Sequence, residues 1–404
     1  MNKILVRGSS FFIDAYKKHN SYPTLQNDLS TEVLIVGRGI TGALCAYYFA
    51  KQNIKVVLVE KGEIAACSTS ISTSLLQYEL DELIKDLEKN YDLSKIIRGY
   101  RFANKGLYEI HNIIAELNID CDYIARDCLT YTNDPNKIDI LKYEYEQRLA
   151  NGFDTVFIDK NTSNYNFSFP IKAGVFSVNG GAEINPVKFT KELMNKAAQM
   201  GCEVYENTEI KDYKHDNNSV QVHTADNQTI SCKKVIVTTG YDISTFSSKT
   251  YYTPYTSYNI VTSPISNITG WHNQCLVKTT ENPYIYLRTT TDSRIIIGGE
   301  DTRFIPELLE DNVAGQKYPK LLKRLNEMFP QLDCQIEYSY NGIFGATDDN
   351  LPYIGPDPSN KNIWYCLGYG ANGILFSVNG AKMLSNLYNG YLDDDLDLVA
   401  MNRN

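Results

Sequence analysis

Three glycines and one glutamate are the first residues whose types and spacing could do chemistry. Gly37-Arg38-Gly39-Ile40-Thr41-Gly42 has the form G-x-G-x-x-G, and Glu60 follows it. Gly37 permits a tight turn, Gly39 lets the backbone approach a pyrophosphate, and Gly42 lets a helix and a strand pack closely. The N-terminus of the helix that follows would aim unpaired N–H groups at phosphate oxygens. A carboxylate at 60 is placed to accept hydrogen bonds from a ribose. It disfavours a 2′-phosphate, so FAD or NAD fits better than NADP, and the motif does not choose between them.

These residues act together only if the chain positions them. The apolar run Val33–Val36 predicts a buried parallel strand, Ala43 to Lys51 a helix, and Val56 to Val59 a second strand ending at Glu60. A glycine-rich hexapeptide without these flanks is commonly only a turn. With them it predicts a dinucleotide-binding βαβ unit.

The remainder of the chain narrows the class. Its 404 residues, with Lys+Arg 39 against Asp+Glu 48, carry a net charge of −9. That balance argues against nucleic acid or an anionic membrane as partner. No apolar run reaches the ~18 residues of a membrane span, and the N-terminus makes a poor signal peptide. Nine cysteines without metal-ligand spacing fit reduced thiols in the cytoplasm, and with five unclustered histidines no metal site is expected. Residues 1–30 read as an irregular arm. Residues 65–74 are almost all Ala, Ser or Thr, and their short side chains let backbone and hydroxyls approach a ligand. Apolar spacing from Leu80 to Leu117 is helical and reads as core. Asn185, Pro186 and Gly201 delimit another helix, followed by short strands and the buried run Lys234–Gly240. Residues 250–335 read as mainly β, with a helix near Leu321. Gly368-Tyr369-Gly370-Ala371-Asn372-Gly373 then makes a second strand–glycine–helix transition.

Four blocks resemble the D-amino-acid oxidase/glycine oxidase superfamily of FAD-dependent oxidoreductases. They are GRGITG with Glu60, the loop ending TSLLQ at Gln77, the unit ending Thr238-Thr239-Gly240, and GATDDNLPYIGP with GYGANGI. Within that superfamily the chain is most similar to a bacterial subgroup with a loop like STSISTSLLQYE. The resemblance implies α/β and α+β architecture. An FAD-binding Rossmann-like domain of glutathione-reductase type (31–88, 176–248 and 340–404) would be interleaved with a mainly antiparallel β substrate domain (89–175 and 249–339). It implies non-covalent FAD, with Gly37, Gly39, Ile40, Thr41 and Gly42 at the pyrophosphate, and Glu60 and Lys61 at the ribose. Ser70, Ser74, Leu75 and Leu76 would border the phosphates and the flavin. Ile210, Thr239 and Gly240 would lie at the adenine side, and Gly370, Asn372, Gly373 and Ile374 at the pyrimidine edge, where N–H groups stabilise charge on the reduced ring.

The implied reaction moves a hydride from a C–N bond of an amine or amino acid to flavin N5, with O2 or another acceptor taking the electrons onward. A 2-hydroxy-acid dehydrogenase and a non-catalytic flavin protein are the alternatives. Phe344 and Ala371 stand where relatives that oxidise free amino acids often carry arginines. Arg288 is the candidate replacement for holding a substrate carboxylate. Tyr258 and Tyr286, with Tyr252, Tyr255 and Tyr284, fall in the segment expected to face substrate. Cys366 reads as a buried small residue, and Cys67 sits where many relatives have glycine.

Overall fold

The computed structural model describes residues 6–16, 21–162, 164–216, 218–305, 311–370 and 372–403. One sheet has the order Tyr353–Asp357, Asn360–Leu367, Lys234–Val237, Val33–Val36, Val56–Val59, Glu203–Tyr205. Every pair in it is parallel except the Tyr353–Asp357 edge. Val33–Val36 and Val56–Val59 are buried on both faces, which is why they read as unbroken apolar runs. Alternation sends Val33, Ile35, Val56 and Leu58 to one core and Leu34, Val36, Val57 and Val59 to another. The helices Ile40–Lys51, Pro186–Gln199 and Gly373–Tyr388 close the first core. A small sheet of Ile210–His215, Val220–Thr224, Thr229–Cys232 and Leu29–Ser30 closes the second through Val220, Val222 and Ile230. Asn185 caps its helix as its type predicts: Oδ1 accepts from the N–H groups of Val187 (3.1 Å) and Lys188 (3.0 Å).

A ten-stranded sheet runs Val6–Gly8, Ile336–Ala346, Thr253–Thr262, Ile295–Arg303, Ile285–Thr289, Leu276–Thr279, Ile124–Thr132, Ala173–Glu183, Leu75–Gln77, with Thr155–Asp159 also on Ala173–Glu183. Its pairs are antiparallel except Leu276–Thr279 with Ile124–Thr132. Helix Asp311–Met328 covers it through Leu321 and Leu325. No helix among the described residues is long and apolar enough to cross a membrane.

Three expectations need correction. The described part of residues 1–30 is not an irregular arm: Val6–Gly8 pairs with Ile336–Ala346, Phe11 and Phe12 are buried, and Leu29–Ser30 joins the small sheet. Lys17 and Lys18 lie outside the described residues. The helical stripe from Leu80 is broken. Ile84–Leu87 is a single turn, and the long helix Leu93–Leu117 starts afresh after Asp92, whose ψ is 143°. A distant acceptor decides this, because the Ile84 N–H goes to the buried Glu144 carboxylate at 2.7 Å. The proposed domain limits also cut elements. Residues 175/176 and 339/340 fall inside Ala173–Glu183 and Ile336–Ala346. Leu93–Leu117 packs on Gly373–Tyr388, where a Cβ on Gly106 would lie 2.4 Å from Leu375 O, so it sides with the nucleotide layer.

Candidate active site

At the carboxyl end of Val33–Val36 the chain turns through Gly37 at φ +105°, a region favouring glycine. The Gly37 N–H donates to Val59 O at 3.0 Å, and the Thr238 hydroxyl lies 2.9 Å from both Val36 O and Gly37 O. A Cβ on Gly42 would sit 1.9 Å from Gly37 O, so that glycine holds helix against strand. A Cβ on Gly39 would meet only Thr69 Oγ1 at 3.1 Å; its backbone is open toward a cavity. Thr69 Oγ1 also accepts the Ile40 N–H at 3.1 Å, and Thr41 Oγ1 lies 2.7 Å from Ser377 Oγ.

Glu60 is oriented before any ligand arrives. Its Oε2 accepts from the Arg38 N–H (3.3 Å) and its Oε1 from the Gly62 N–H (3.0 Å). The Arg38 side chain is 1% exposed and pairs with Glu206 at 2.5 Å. Arg38 carries no sequence signal, and Thr69 is one of the small residues of 65–74 expected near the ligand; only the fold brings Glu206 and Ile40 to them.

The cavity measures about 570 Å³. Gly37, Gly39, Ile40, Thr41, Glu60, Lys61, Leu75, Ile210, Thr239, Gly240, Gly370, Gly373 and Ile374 line it, all residues that the sequence pointed to. Gly42 does its work in packing. Ser74, Leu76 and Asn372 border a recess of about 30 Å³ that shares Leu75 and Ile374 with the cavity. Ser70 is turned away: its hydroxyl bonds Cys67 O at 2.8 Å and its carbonyl accepts from Ser10. Ala371 lies outside the described residues. Cys366 and Cys67 both border the cavity; the Cys366 thiol is buried near Ser377 O, 4.0 Å away, and Cys67 is exposed.

The donor set suits a dinucleotide. The open face at Gly39 admits a phosphate, and Thr239 Oγ1 is a buried polar atom with no partner among the described residues. Glu60 offers acceptors to a ribose, and Gly373 opens a 16-residue helix whose first N–H groups can face charge.

The ten-stranded sheet supplies the other end. Ser257 and Asn259 line the cavity from Thr253–Thr262, and Tyr258 between them faces the opposite way, as strand alternation requires. Tyr258 is fully buried and bonds Thr302 at 3.4 Å, so the expectation that it faces substrate is corrected. Tyr284 and Tyr286 do line the cavity. The Tyr284 hydroxyl donates to Asp301; the Tyr286 hydroxyl lies 2.8 Å from Ser257 Oγ and donates to Asn259 Oδ1 at 3.3 Å. Tyr255 stacks on Phe344, which also lines the cavity, with ring centres 5.6 Å apart. Tyr252 bonds Tyr241 O at 2.7 Å.

Arg288 is also corrected. It follows Tyr286 on the same strand face, yet it is only 3% exposed and does not border the cavity. Its guanidinium lies 5.4 Å from the Phe12 ring and donates to Ser74 O at 3.4 Å. Burial lowers its pKa. The N-terminal segment has covered it, a long-range contact invisible in the local pattern. Asp81, Lys278 and Asp301, which carried no motif, line the cavity instead. Tyr258→Phe is therefore expected to leave substrate KM within about twofold. Tyr286→Phe, which deletes a hydroxyl with two partners, should change KM or kcat about tenfold in steady-state assays.

The family described as DAO, FAD dependent oxidoreductase, matches residues 32–387. A gamma-glutamylputrescine oxidoreductase of Escherichia coli is 24% identical, over 95% of this chain and 89% of that protein. A glycine oxidase of Geobacillus kaustophilus is 22% identical, over 88% and 92%. The crystal structure of glycine oxidase from Geobacillus kaustophilus superposes with a TM-score of 0.80 at 20% identity, covering 93% of this chain and 99% of that one.

Proposed function

The chain belongs to the DAO family of FAD-dependent oxidoreductases, and from that premise we propose that it oxidises the C–N bond of a small amine. The observation that carries this reading is one cavity joining the Gly39–Glu60 turn to a wall of Tyr284, Tyr286, Asp301 and Lys278. The gamma-glutamylputrescine and glycine relatives support an amine or amino-acid substrate.

FAD bound there non-covalently would supply the hydride acceptor. Gly37, Gly39, Ile40 and Thr41 would hold its pyrophosphate, Glu60 its ribose, and Ile210, Thr239 and Gly240 its adenine side. Gly370, Gly373 and Ile374 would place the helix N-terminus at its reactive end. The tyrosines and Phe344 exclude water and orient the substrate carbon, and positioning of this kind carries much of such a reaction. An amine that arrives as an ammonium ion must first give up a proton, to a wall carboxylate such as Asp301 or to water, and the neutral amine then releases hydride without a further strong base.

A 2-hydroxy acid fits this wall less well. Its carboxylate would meet Asp81 and Asp301, and Lys278 Nζ already donates to the carbonyls of Leu80 (3.3 Å) and Asp81 (2.7 Å). Nine free cysteines, eight of them buried, suit a reducing compartment such as the cytoplasm. Anaerobic mixing with panels of amines, amino acids and 2-hydroxy acids tests the reading. Amines or amino acids are expected to bleach the ~450 nm flavin band within seconds to minutes. Bleaching by hydroxy acids alone would replace the reading with that alternative, and bleaching by none would make the flavin non-catalytic.

A further inference from the structure

The substrate wall is unusual in its charge. Asp81 and Asp301 reach it from different parts of the chain, one beyond Leu75–Gln77 and the other on Ile295–Arg303. Asp301 Oδ2 accepts the Tyr284 hydroxyl, the Ser257 hydroxyl also stabilises the carboxylate, and Oδ1 is buried without a hydrogen-bond partner among the described residues. A buried carboxylate oxygen in that state is stabilised by a cation or donor brought by a ligand. The cationic side chains do not answer it. Lys278 is anchored to backbone carbonyls, and at the far end Lys61 pairs with Asp242 and Arg38, the one arginine among the described lining residues, with Glu206. Tyr284, Tyr286 and Phe344 add aromatic faces, which also attract cations.

We propose that the substrate is recognised as a cation by Asp301 and Asp81, and is therefore an amine with no carboxylate on its reacting carbon. This rests on the amine-oxidising reading of the same cavity and specifies its substrate class. An α-carboxylate would enter beside two carboxylates, and the Lys278 ammonium has already given two of its three N–H donors to Leu80 O and Asp81 O. An alkyl amine or diamine brings the missing donor to Asp301 Oδ1.

The pH dependence follows from the neighbours of Asp301. Burial pushes its carboxyl up to about 6, Asp81 pushes the same way, and the Tyr284 and Ser257 hydroxyls and Lys317 oppose. Lys317 is itself paired with Glu300 at 3.2 Å, and Tyr286 and Lys278 share the wall. The carboxylate that grips a cation is present above pH 6 and lost below it. The Kd of an amine should rise about tenfold per unit as pH falls below that point.

The test uses holoenzyme and matched pairs: 1,4-diaminobutane against ornithine, and benzylamine against phenylglycine. Binding is read from the shift of the flavin spectrum and from the rise in Tm, and turnover from anaerobic bleaching. The amine of each pair is expected to bind at least tenfold more tightly. Asp301→Asn should weaken amine binding about 10- to 100-fold and narrow the ratio within a pair. Asp81→Asn should act the same way, and Asp301→Glu should restore part of the preference. Asp301→Asn also removes a buried charge and should melt no lower than wild type at pH 8, which separates lost recognition from misfolding. Tighter binding of the amino acids, an unchanged ratio in both asparagine variants, or binding of neither member would overturn the proposal. Amines that bind preferentially without bleaching would leave it standing and overturn the oxidase reading instead.

Discussion

Gly42→Ala is expected to give a protein that purifies without yellow colour, whereas Gly39→Ala should fold normally and fail only in holding flavin. The difference is geometric. A Cβ at 42 would lie 1.9 Å from Gly37 O and 2.9 Å from Gly37 C, both backbone atoms, so the helix Ile40–Lys51 must move away from the turn. That helix buries Ala43, Leu44, Ala46 and Tyr47 in the main core, and displacing it also degrades packing. A Cβ at 39 meets only the Thr69 hydroxyl at 3.1 Å, but it fills the face by which a pyrophosphate would approach. Absorbance at 450 nm per mole of purified protein and the Tm of the flavin-free form separate the two. Gly42→Ala should lower both, by about 2–3 kcal/mol of stability in the apoprotein. Gly39→Ala should keep Tm within a degree or two and raise the Kd for FAD about 100-fold. Normal flavin content in Gly39→Ala would remove the phosphate role from Gly39, and normal flavin content in Gly42→Ala would show that its packing does not hold the cofactor turn.

Arg148→Met should be the most destabilising change outside the cofactor turn. Arg148 is 1% exposed and donates to Glu79 (2.8 Å) and, through Nε, to Glu144 (2.8 Å). Glu144 also takes the Tyr100 hydroxyl and the Ile84 N–H, both at 2.7 Å, so the cluster pins three separate segments. Removing the guanidinium strands two buried carboxylates, and breaking one side of such a pair costs about 3–5 kcal/mol. The loss should be read as a drop in the denaturation midpoint. Arg148→Met combined with Glu79→Gln and Glu144→Gln should recover part of it, because uncompensated charge and not lost packing is the main cause. The same cluster reaches the candidate site: Asn372, just before the helix at Gly373, donates from Nδ2 to Glu79 O at 2.7 Å. Flavin affinity should fall along with stability. A stable single variant, or no recovery in the combined one, would show that the cluster is dispensable.

Much was legible where function depends on backbone alone. The two apolar strands, the glycines between them, the Asn185 cap and the Gly373 helix all depend on local rules of burial, φ and capping, and the structure has each in place. Reading failed where a side chain's fate depends on a distant partner. Arg288 was legible as a cation on a strand near the site, but not Phe12 and Ser74 closing over it. Tyr258 and Tyr286 look alike in composition and lie on neighbouring parts of one sheet. Strand parity alone sends one to the core and the other to the cavity. Asp81, Lys278 and Asp301 belong to no motif and sit far apart in the chain.

The sequence by itself determined the dinucleotide end, because phosphate binding by a glycine turn and a helix N-terminus is written in consecutive residues. Only the tertiary structure decided the other end of the cavity, the wall proposed to face substrate. That wall is assembled by a sheet joining segments hundreds of residues apart, with Val6–Gly8 at one edge and Leu75–Gln77 at the other. Its charge is a sum over side chains that meet only in the folded chain, and no local pattern carries that sum.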